Sequence, residues 1–341
     1  MMTTDALVIP DGKGTITCGQ GTLMALDETM GSDPSVLVFG EDVADPEGGG
    51  IVRATAGLST KYGDARVRST PIAEQAIVGA AIGAAIAGMR PVAEIMLMNF
   101  VTVAMDQIVN HAAKIRYMSG GATSVPLVIR TMSVVGGGFG GQHSDMYEAW
   151  LAHVPGLKVV VPSNPADQMG LLASCIEDDD PCIFIESTLL MGQRGAAPEP
   201  GHRVPLGKAN CLRSGSDVTL IGYGRPVHDM LAAAEKLAGE GVAAEVIDLR
   251  SIVPLDWPMI LESVGRTGRA VIVHEAVRSF GVGAEIAARL NYALFGALKA
   301  PVERVGAPDT PVPFSRALEE RYMWSVEKIA DAAMRTVGEL V

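Results

Sequence analysis

Short apolar runs closed by Gly or an acid alternate along this chain with longer stretches of helical spacing. Residues 35–42, SVLVFGED, are the first such run. RPVAEIMLM (90–98), VPLVIRTM (125–132), LKVVVPS (157–163) and PCIFIES (181–187) follow it. Runs of this kind are the mark of parallel strands buried on both faces, with functional loops at their C-terminal ends. Between them the pattern predicts helices. TITCGQGTLMALDETM (15–30) places Leu23, Leu26 and Met30 on one face. STPIAEQAIVGAAIGAAIAG (69–88) has Thr70 or Ser69 as a cap and Pro71 in its first turn. FVTVAMDQIVNHAAKIRYMSGG (100–121) reads as one helix closed by Gly120 and Gly121, and PADQMGLLASCIEDD (165–179) as another.

The stretch MGQRGAAPEPGHRVPL (191–206) is rich in Gly, Pro and charge and reads as a linker. Beyond it the alternation resumes with DVTLIGYG, a helix around VHDMLAAAEKLAGEG, then AAEVIDLRSI, RAVIVHEA, the helix GAEIAARLNYALF and a terminal helix near SVEKIADAAMRTV. The pattern therefore predicts an α/β protein with two parallel-sheet domains, 15–190 and 207–341, preceded by a polar arm over residues 1–14.

Composition narrows the function classes. The chain has 341 residues, 48% of them hydrophobic, and a formal net charge of −12 with no compensating basic cluster. Such a surface repels phosphate backbones, so no nucleic-acid partner is expected. The four cysteines, Cys18, Cys175, Cys182 and Cys211, form no C-x-x-C pair and read as free thiols of a reducing compartment. The N-terminus lacks a basic start followed by an apolar run. The apolar stretch Ile77 to Met89 is shorter than the roughly 20 residues that span a bilayer. A soluble, cytoplasmic protein without a membrane partner is the expectation.

Candidate chemistry starts with the loop VVGGGFGGQHS, whose Gly136, Gly138 and Gly141 fit G-x-G-x-x-G after a strand. The acid-ended second strand of a dinucleotide site does not follow. Five glycines between Gly136 and Gly141 are costly to order, so a mobile loop covering a substrate is the better account. Four other residues each carry an ordinary and a functional reading. Glu74 sits at the start of an apolar helix, where an acid also complements the helix dipole. Glu41 follows a strand and a Gly, where a carboxylate serves a site or a cap. His143 follows the glycine loop, where most histidines are simply solvated. Phe100 ends a strand, where most aromatics are core.

Taken together, VFGEDV, TPIAEQAIVGAAIGAAIAGMRPVAEIMLMNF, DQIVNHAAKIRYMSGG, PLVIR, GGQHSDMYEAWLAHVPGLKVVVPSNPAD and GVGAEI resemble the β subunits of the thiamine-diphosphate-dependent 2-oxo acid dehydrogenases, a group that includes the pyruvate, branched-chain 2-oxo acid and acetoin enzymes. The resemblance runs from about Thr15 to Val337. It implies a pyrimidine-binding domain followed by a transketolase-type C-terminal domain. Glu74 matches the glutamate that hydrogen-bonds N1′ of the cofactor's aminopyrimidine. A proton shared there favours the imino form at the 4′ position, which then serves as the base toward the thiazolium carbon. Phe100 matches the aromatic that stacks on the pyrimidine, Glu41 a second acid near the cofactor, and His143 a loop histidine near the substrate. The resemblance also implies a monovalent cation, K+, at Leu127, Cys175, Ile176, Asp178 and Asp180. Carbonyl and carboxylate oxygens suit such a hard cation, although EDDD also reads as a solvated helix end.

Thiamine enzymes hold the diphosphate through Mg2+ with a GDG motif. This chain has none, since Gly63-Asp64 is followed by Ala65. The resemblance then implies half a site, with Mg2+ and the diphosphate on an α subunit and an α2β2 heterotetramer. Gly79 and Gly83, four apart on one helix, mark a close-packing face and a candidate interface element. A lipoyl acyltransferase would receive the acyl group, and dihydrolipoyl dehydrogenase would join through the larger complex. Certain positions depart from the common pattern: Ala73 stands where many relatives have Ser, and Asp145 and Met146 follow the loop histidine. Arg130-Thr131-Met132 is closer to acetoin-type subunits. Decarboxylation of pyruvate or a branched 2-oxo acid is the leading expectation. Acetoin cleavage, a split transketolase and a non-catalytic scaffold are the alternatives.

Overall fold

The computed structural model describes residues 14–338, so nearly all of the polar arm over residues 1–14 lies outside the described residues. The described chain forms two compact units. One comprises residues up to Ser133 and then His153–Leu206; the other comprises Val134–Ala152 and Gly207 onward.

In the first unit the strands are β1 (Thr15–Thr17), β2 (Val36–Gly40), β3 (Val67–Ser69), β4 (Arg90–Glu94), β5 (Val128–Ser133), β6 (Lys158–Val160), β7 (Cys182–Ser187) and β8 (Arg194–Ala196). Strands β6-β7-β5-β4-β2-β3 lie side by side in that order, all parallel. β5 is buried at every position, as expected of a strand covered on both faces. The helices are α1 (Cys18–Ser32), α2 (Leu58–Tyr62), α3 (Glu74–Ile86), α4 (Ile115–Met118) and, past a short helix α5 (Glu148–Ala152) of the other unit, α6 (Pro165–Glu177). α1 packs on α6 so closely that a Cβ on Gly21 would lie 2.7 Å from the carbonyl oxygen of Pro165.

Local expectations need four corrections. Residues 15–30 are not one helix. Thr15–Thr17 pairs antiparallel with Arg194–Ala196, and Thr17 then caps α1 in a reciprocal capping box with Gln20. α3 starts at Glu74, later than expected, with Ala73 at the cap position and no side-chain cap bond, so Glu74 itself fills the first helical position. The 100–121 stretch is not one helix either. It runs as 3-10 turns over Met98–Ala104, a widened π segment over Gln107–Ala112, and then α4. The backbone of Gly156 crosses there, and a Cβ on it would sit 2.0 Å from the Ala113 carbonyl oxygen. A widened segment accommodates such local insertion. Finally, AAEVIDLRSI divides into Ala244–Asp248 and Ser251–Val253, because Arg250 adopts a left-handed backbone (φ 59°) between them.

Residues 191–206 are folded onto the first unit. Besides β8, the Val204 amide donates to the Gly170 carbonyl (3.3 Å), and Arg203 pairs with Glu28 (2.7 Å) and Glu177 (2.6 Å). A packed segment must pair its backbone groups, and the Met191, Gln193, Ala197, His202 and Val204 amides are all bonded.

The second unit contains β9 (Asn210–Arg213), β10 (Val218–Gly222), β11 (Ala244–Asp248), β12 (Ser251–Val253), β13 (Ala270–Val277) and β14 (Glu303–Ala307). β14-β13-β10-β11 are parallel neighbours, with β9 antiparallel at the edge. Its further helices are α7 (Pro226–Gly239), α8 (Trp257–Thr267), α9 (Val282–Ala293), α10 (Arg316–Tyr322) and α11 (Val326–Val337). α7 and α11 pack together over an apolar core that includes Leu220, Met230, Leu237 and Ile329.

Candidate active site

The C-terminal ends of β2 and β4 bring carboxylates together in the first unit. Gly40 ends β2 opposite Glu94, which ends β4. A Cβ on Gly40 would lie 2.6 Å from the Glu94 carbonyl oxygen, so only glycine allows this approach. The chain then turns through half-buried Glu41 and through Asp42, held left-handed at φ 57°. Burial pushes the Glu41 carboxyl above its ordinary range, and the charges of Glu74, Asp42 and Glu94 push it the same way. Glu41 and Glu74, separated by 33 positions in sequence (74 − 41), thus belong to one electrostatic cluster.

Glu74 is buried, with 8% of its surface exposed, at the first position of α3. It lines an open groove of about 640 Å³ with Ile72, Gln75, Gly79, Val103 and Gln107. Phe100, half-buried, stands in the 3-10 segment that packs against α3. A Cβ added to Gly83 would meet nothing within 4 Å, and one on Gly79 would meet only the Gln107 side chain at 3.3 Å, so no backbone of the described residues uses the expected close-packing face.

Sequence reasoning missed the group behind these acids. Arg130, fully buried in β5, bonds Glu94 on one neighbouring strand (2.7 Å) and Glu186 on the other (2.6 Å). The remaining oxygen of Glu186 accepts from Thr22 (2.7 Å) and Gln168 (2.5 Å). Oε1 of Glu94 has no hydrogen-bond partner among the described residues. Burial raises the Glu94 pKa against the opposing pull of Arg130, with Glu186 and Asp42 adding to the rise. Two buried carboxylates thus share one guanidinium, an arrangement with more acidic than basic groups. The available signals were acids at the ends of two apolar strands, Glu94 in RPVAE and Glu186 in PCIFIES.

The expected cation positions are also occupied by this chain's own groups. Lys158 Nζ lies 2.6 Å from both carboxylate oxygens of Asp178 and 3.3 Å from Asp180. Arg90 donates to the carbonyls of Ile176 (3.1 Å) and Asp178 (3.0 Å). Backbone amides of Cys182 and Asp178 use the Leu127 (2.8 Å) and Cys175 (3.4 Å) carbonyls. A K+ ion would compete there with two fixed positive side chains, so the donor set does not fit a resident cation in this arrangement.

His143 belongs to the second unit, on the loop that leaves β5 and enters α5. Further along the chain, at the start of α5, Glu148 is fully buried and accepts from the Tyr223 hydroxyl (2.7 Å). Burial lifts the Glu148 pKa to about 8; the Tyr223 bond opposes the rise and the Glu275 charge adds to it. A carboxyl raised in the folded state stabilises the fold fully below its unfolded pKa, and that contribution is lost as pH rises toward 8. Glu148→Gln should therefore flatten the decline of the thermal midpoint between pH 5 and pH 8, by an amount on the order of a few kcal/mol in stability. Parallel melting curves for both proteins across that range would refute it.

All four cysteines are free thiols, and only Cys211 is exposed. Among the described residues no helix is long and apolar enough to cross a membrane.

Two parallel-sheet units, with an acid leading the apolar helix of the first, define a transketolase-type architecture. Residues 15–193 match the transketolase pyrimidine binding domain and residues 207–329 the transketolase C-terminal domain. The chain is 48% identical over 323 residues to acetoin:2,6-dichlorophenolindophenol oxidoreductase subunit beta of Cupriavidus necator, covering 92% of this chain and 95% of that one. It is 45% identical over 315 residues to the mitochondrial pyruvate dehydrogenase E1 component subunit beta-2 of Oryza sativa, covering 91% and 83%. A solved structure titled as a split gene transketolase, inactive beta4 tetramer, superimposes with a TM-score of 0.77 at 25% identity, over 95% of this chain and 99% of that one. The chain belongs to the β subunits of the thiamine-diphosphate-dependent 2-oxo acid and acetoin dehydrogenases, which are oxidoreductases.

Proposed function

We propose that this chain supplies the pyrimidine-activating half of a two-subunit dehydrogenase component that decarboxylates a 2-oxo acid, pyruvate or a branched-chain one, and passes the acyl group to a lipoyl acyltransferase, with dihydrolipoyl dehydrogenase acting downstream. The observation that carries this reading is Glu74: a buried carboxylate at the head of α3, facing a groove and sharing a cluster with Glu41. Thiamine diphosphate, when bound, supplies an acidic ring carbon that adds to a carbonyl and stores the electron pair released when the neighbouring bond breaks. Glu74 holds a proton at N1′ of the aminopyrimidine. Phe100 offers a flat apolar face to that ring, and Glu41, in one electrostatic cluster with Glu74, is a second acid on a proton path near the cofactor. His143 donates to oxygens of the substrate.

The diphosphate and Mg2+ fall to an α subunit in an α2β2 assembly. The missing GDG motif supports this, as does the groove, whose rim exposes Ile72 (83%) and Val103 (54%). Apolar rims of this kind are covered by a partner. The domain division proposed for this role is 15–190 and 207–341. Acetoin cleavage is the second reading, supported by Arg130-Thr131-Met132 and by the identity to the Cupriavidus necator subunit.

Coexpressed with its α partner and given thiamine diphosphate and Mg2+, the protein should reduce an artificial electron acceptor with pyruvate, a branched 2-oxo acid or acetoin. The preferred substrate decides between the two readings. No reduction with any of the three, in an assembled and cofactor-loaded enzyme, would sink both.

A further inference from the structure

The glycine loop has a buried fastener. Gly136, Gly138 and Gly140 adopt positive φ (90°, 77° and 72°). The amides of Gly136 and Gly138 point at a single carboxylate, that of Glu319 on α10, at 2.7 Å to Oε1 and 3.0 Å to Oε2. Glu319 is 1% exposed. These two alternate amides turned toward one anion form a small nest, while the Gly137 amide between them donates to the Val134 carbonyl (2.9 Å). Bonds from amide to carboxylate are charge-assisted and stronger than neutral ones. A buried carboxylate needs them, because its desolvation is otherwise costly. The same unit supports the loop further along: Phe314 lies where a Cβ on Gly140 would meet its ring at 3.1 Å, and the His143 amide donates to the Gly140 carbonyl (3.2 Å). Arg225 donates to the Val135 carbonyl (3.0 Å) at the loop's start.

We propose that Glu319 is a positioning residue: it converts an entropically expensive glycine segment into a fixed mount for His143. An unclamped run of glycines would hold the histidine in many places, and a displacement of about 1 Å costs on the order of 100-fold in rate. The role rests on the reading of His143 as a substrate-facing donor, whereas the clamp itself does not. Charge and two-point acceptance both matter to it. Glutamine at 319 keeps one acceptor oxygen and replaces the other with a donor group that faces an amide.

The test uses the assembled, cofactor-loaded enzyme, with Glu319→Gln, His143→Ala and the double variant. Deuterium exchange over residues 134–144 reads the clamp. It should accelerate at least about 10-fold in Glu319→Gln while strands β10 and β13 stay protected, which shows an intact fold. Turnover should fall about 10- to 100-fold in kcat with a smaller change in KM. In the His143→Ala background the same substitution should cost little more, because both act through one group. Unchanged exchange in Glu319→Gln would overturn the clamp. Fully multiplicative losses in the double variant would overturn its action through His143. A fully active His143→Ala enzyme would instead overturn the role given to the histidine, with the exchange data still deciding the clamp.

Discussion

Glu74→Ala is expected to cut turnover of the assembled enzyme by at least about 100-fold, the scale of a lost proton-transfer group, while leaving assembly and thermal midpoint nearly unchanged. The two readings of this residue separate by magnitude. A first-turn acid that only complements the helix dipole contributes about 0.3–1 kcal/mol to stability and nothing to rate. α3 has no side-chain cap bond that Glu74 supports, and Ala73 occupies the cap position. The groove beside the carboxylate and the coupled acid Glu41 give it a chemical task instead. Acceptor reduction by the purified pair, with size-exclusion and melting data on the same preparation, makes the measurement. Near-normal turnover in the alanine variant would overturn the mechanism.

Arg130→Met should destabilise the first unit by about 3–5 kcal/mol, the cost of stranding buried carboxylates when their partner is removed. Glu94 and Glu186 would keep their burial and lose their shared guanidinium. Thr22 and Gln168 still donate to Glu186, so the residual strain falls mainly on Glu94, whose Oε1 already lacks a partner among the described residues. Adding Glu94→Gln should recover part of the loss, because it removes one of the uncompensated charges. Urea titration of the coexpressed enzyme is the check. A loss below about 1 kcal/mol would mean that the triad is neutral and Arg130 a mere space-filler.

The sheets were legible because parallel strands buried on both faces leave continuous apolar runs, and β2, β4, β5 and β7 each carry one. The break in residues 98–118 was not, since no Pro or Gly interrupts the helical spacing there, and the Gly156 backbone that passes against Ala113 is distant in sequence. Among the site residues, Glu74 carried weight through the motifs around it, not through its own spacing. The triad escaped because its members sit 36 and 56 positions apart, and the Glu319 clamp because its bonds span 181 and 183. No local pattern encodes a contact at that range. The cation positions were legible as oxygens but not as occupied ones, because Lys158 and Arg90 come from other strands.

The division of the chain also sets an order of events during its synthesis. The first unit is complete once Leu206 has emerged, but Val134–Ala152, made earlier, belongs with residues from Gly207 onward. A ribosome adding roughly 5–20 residues per second needs on the order of 10 s to make the 113 residues (319 − 206) that lead from Leu206 to Glu319. Through that interval the nascent histidine loop has no Glu319 to hold it. The segment must wait with Val134, Val135, Phe139, Trp150 and Leu151 unpacked, so it presents apolar surface to chaperones until its own unit arrives.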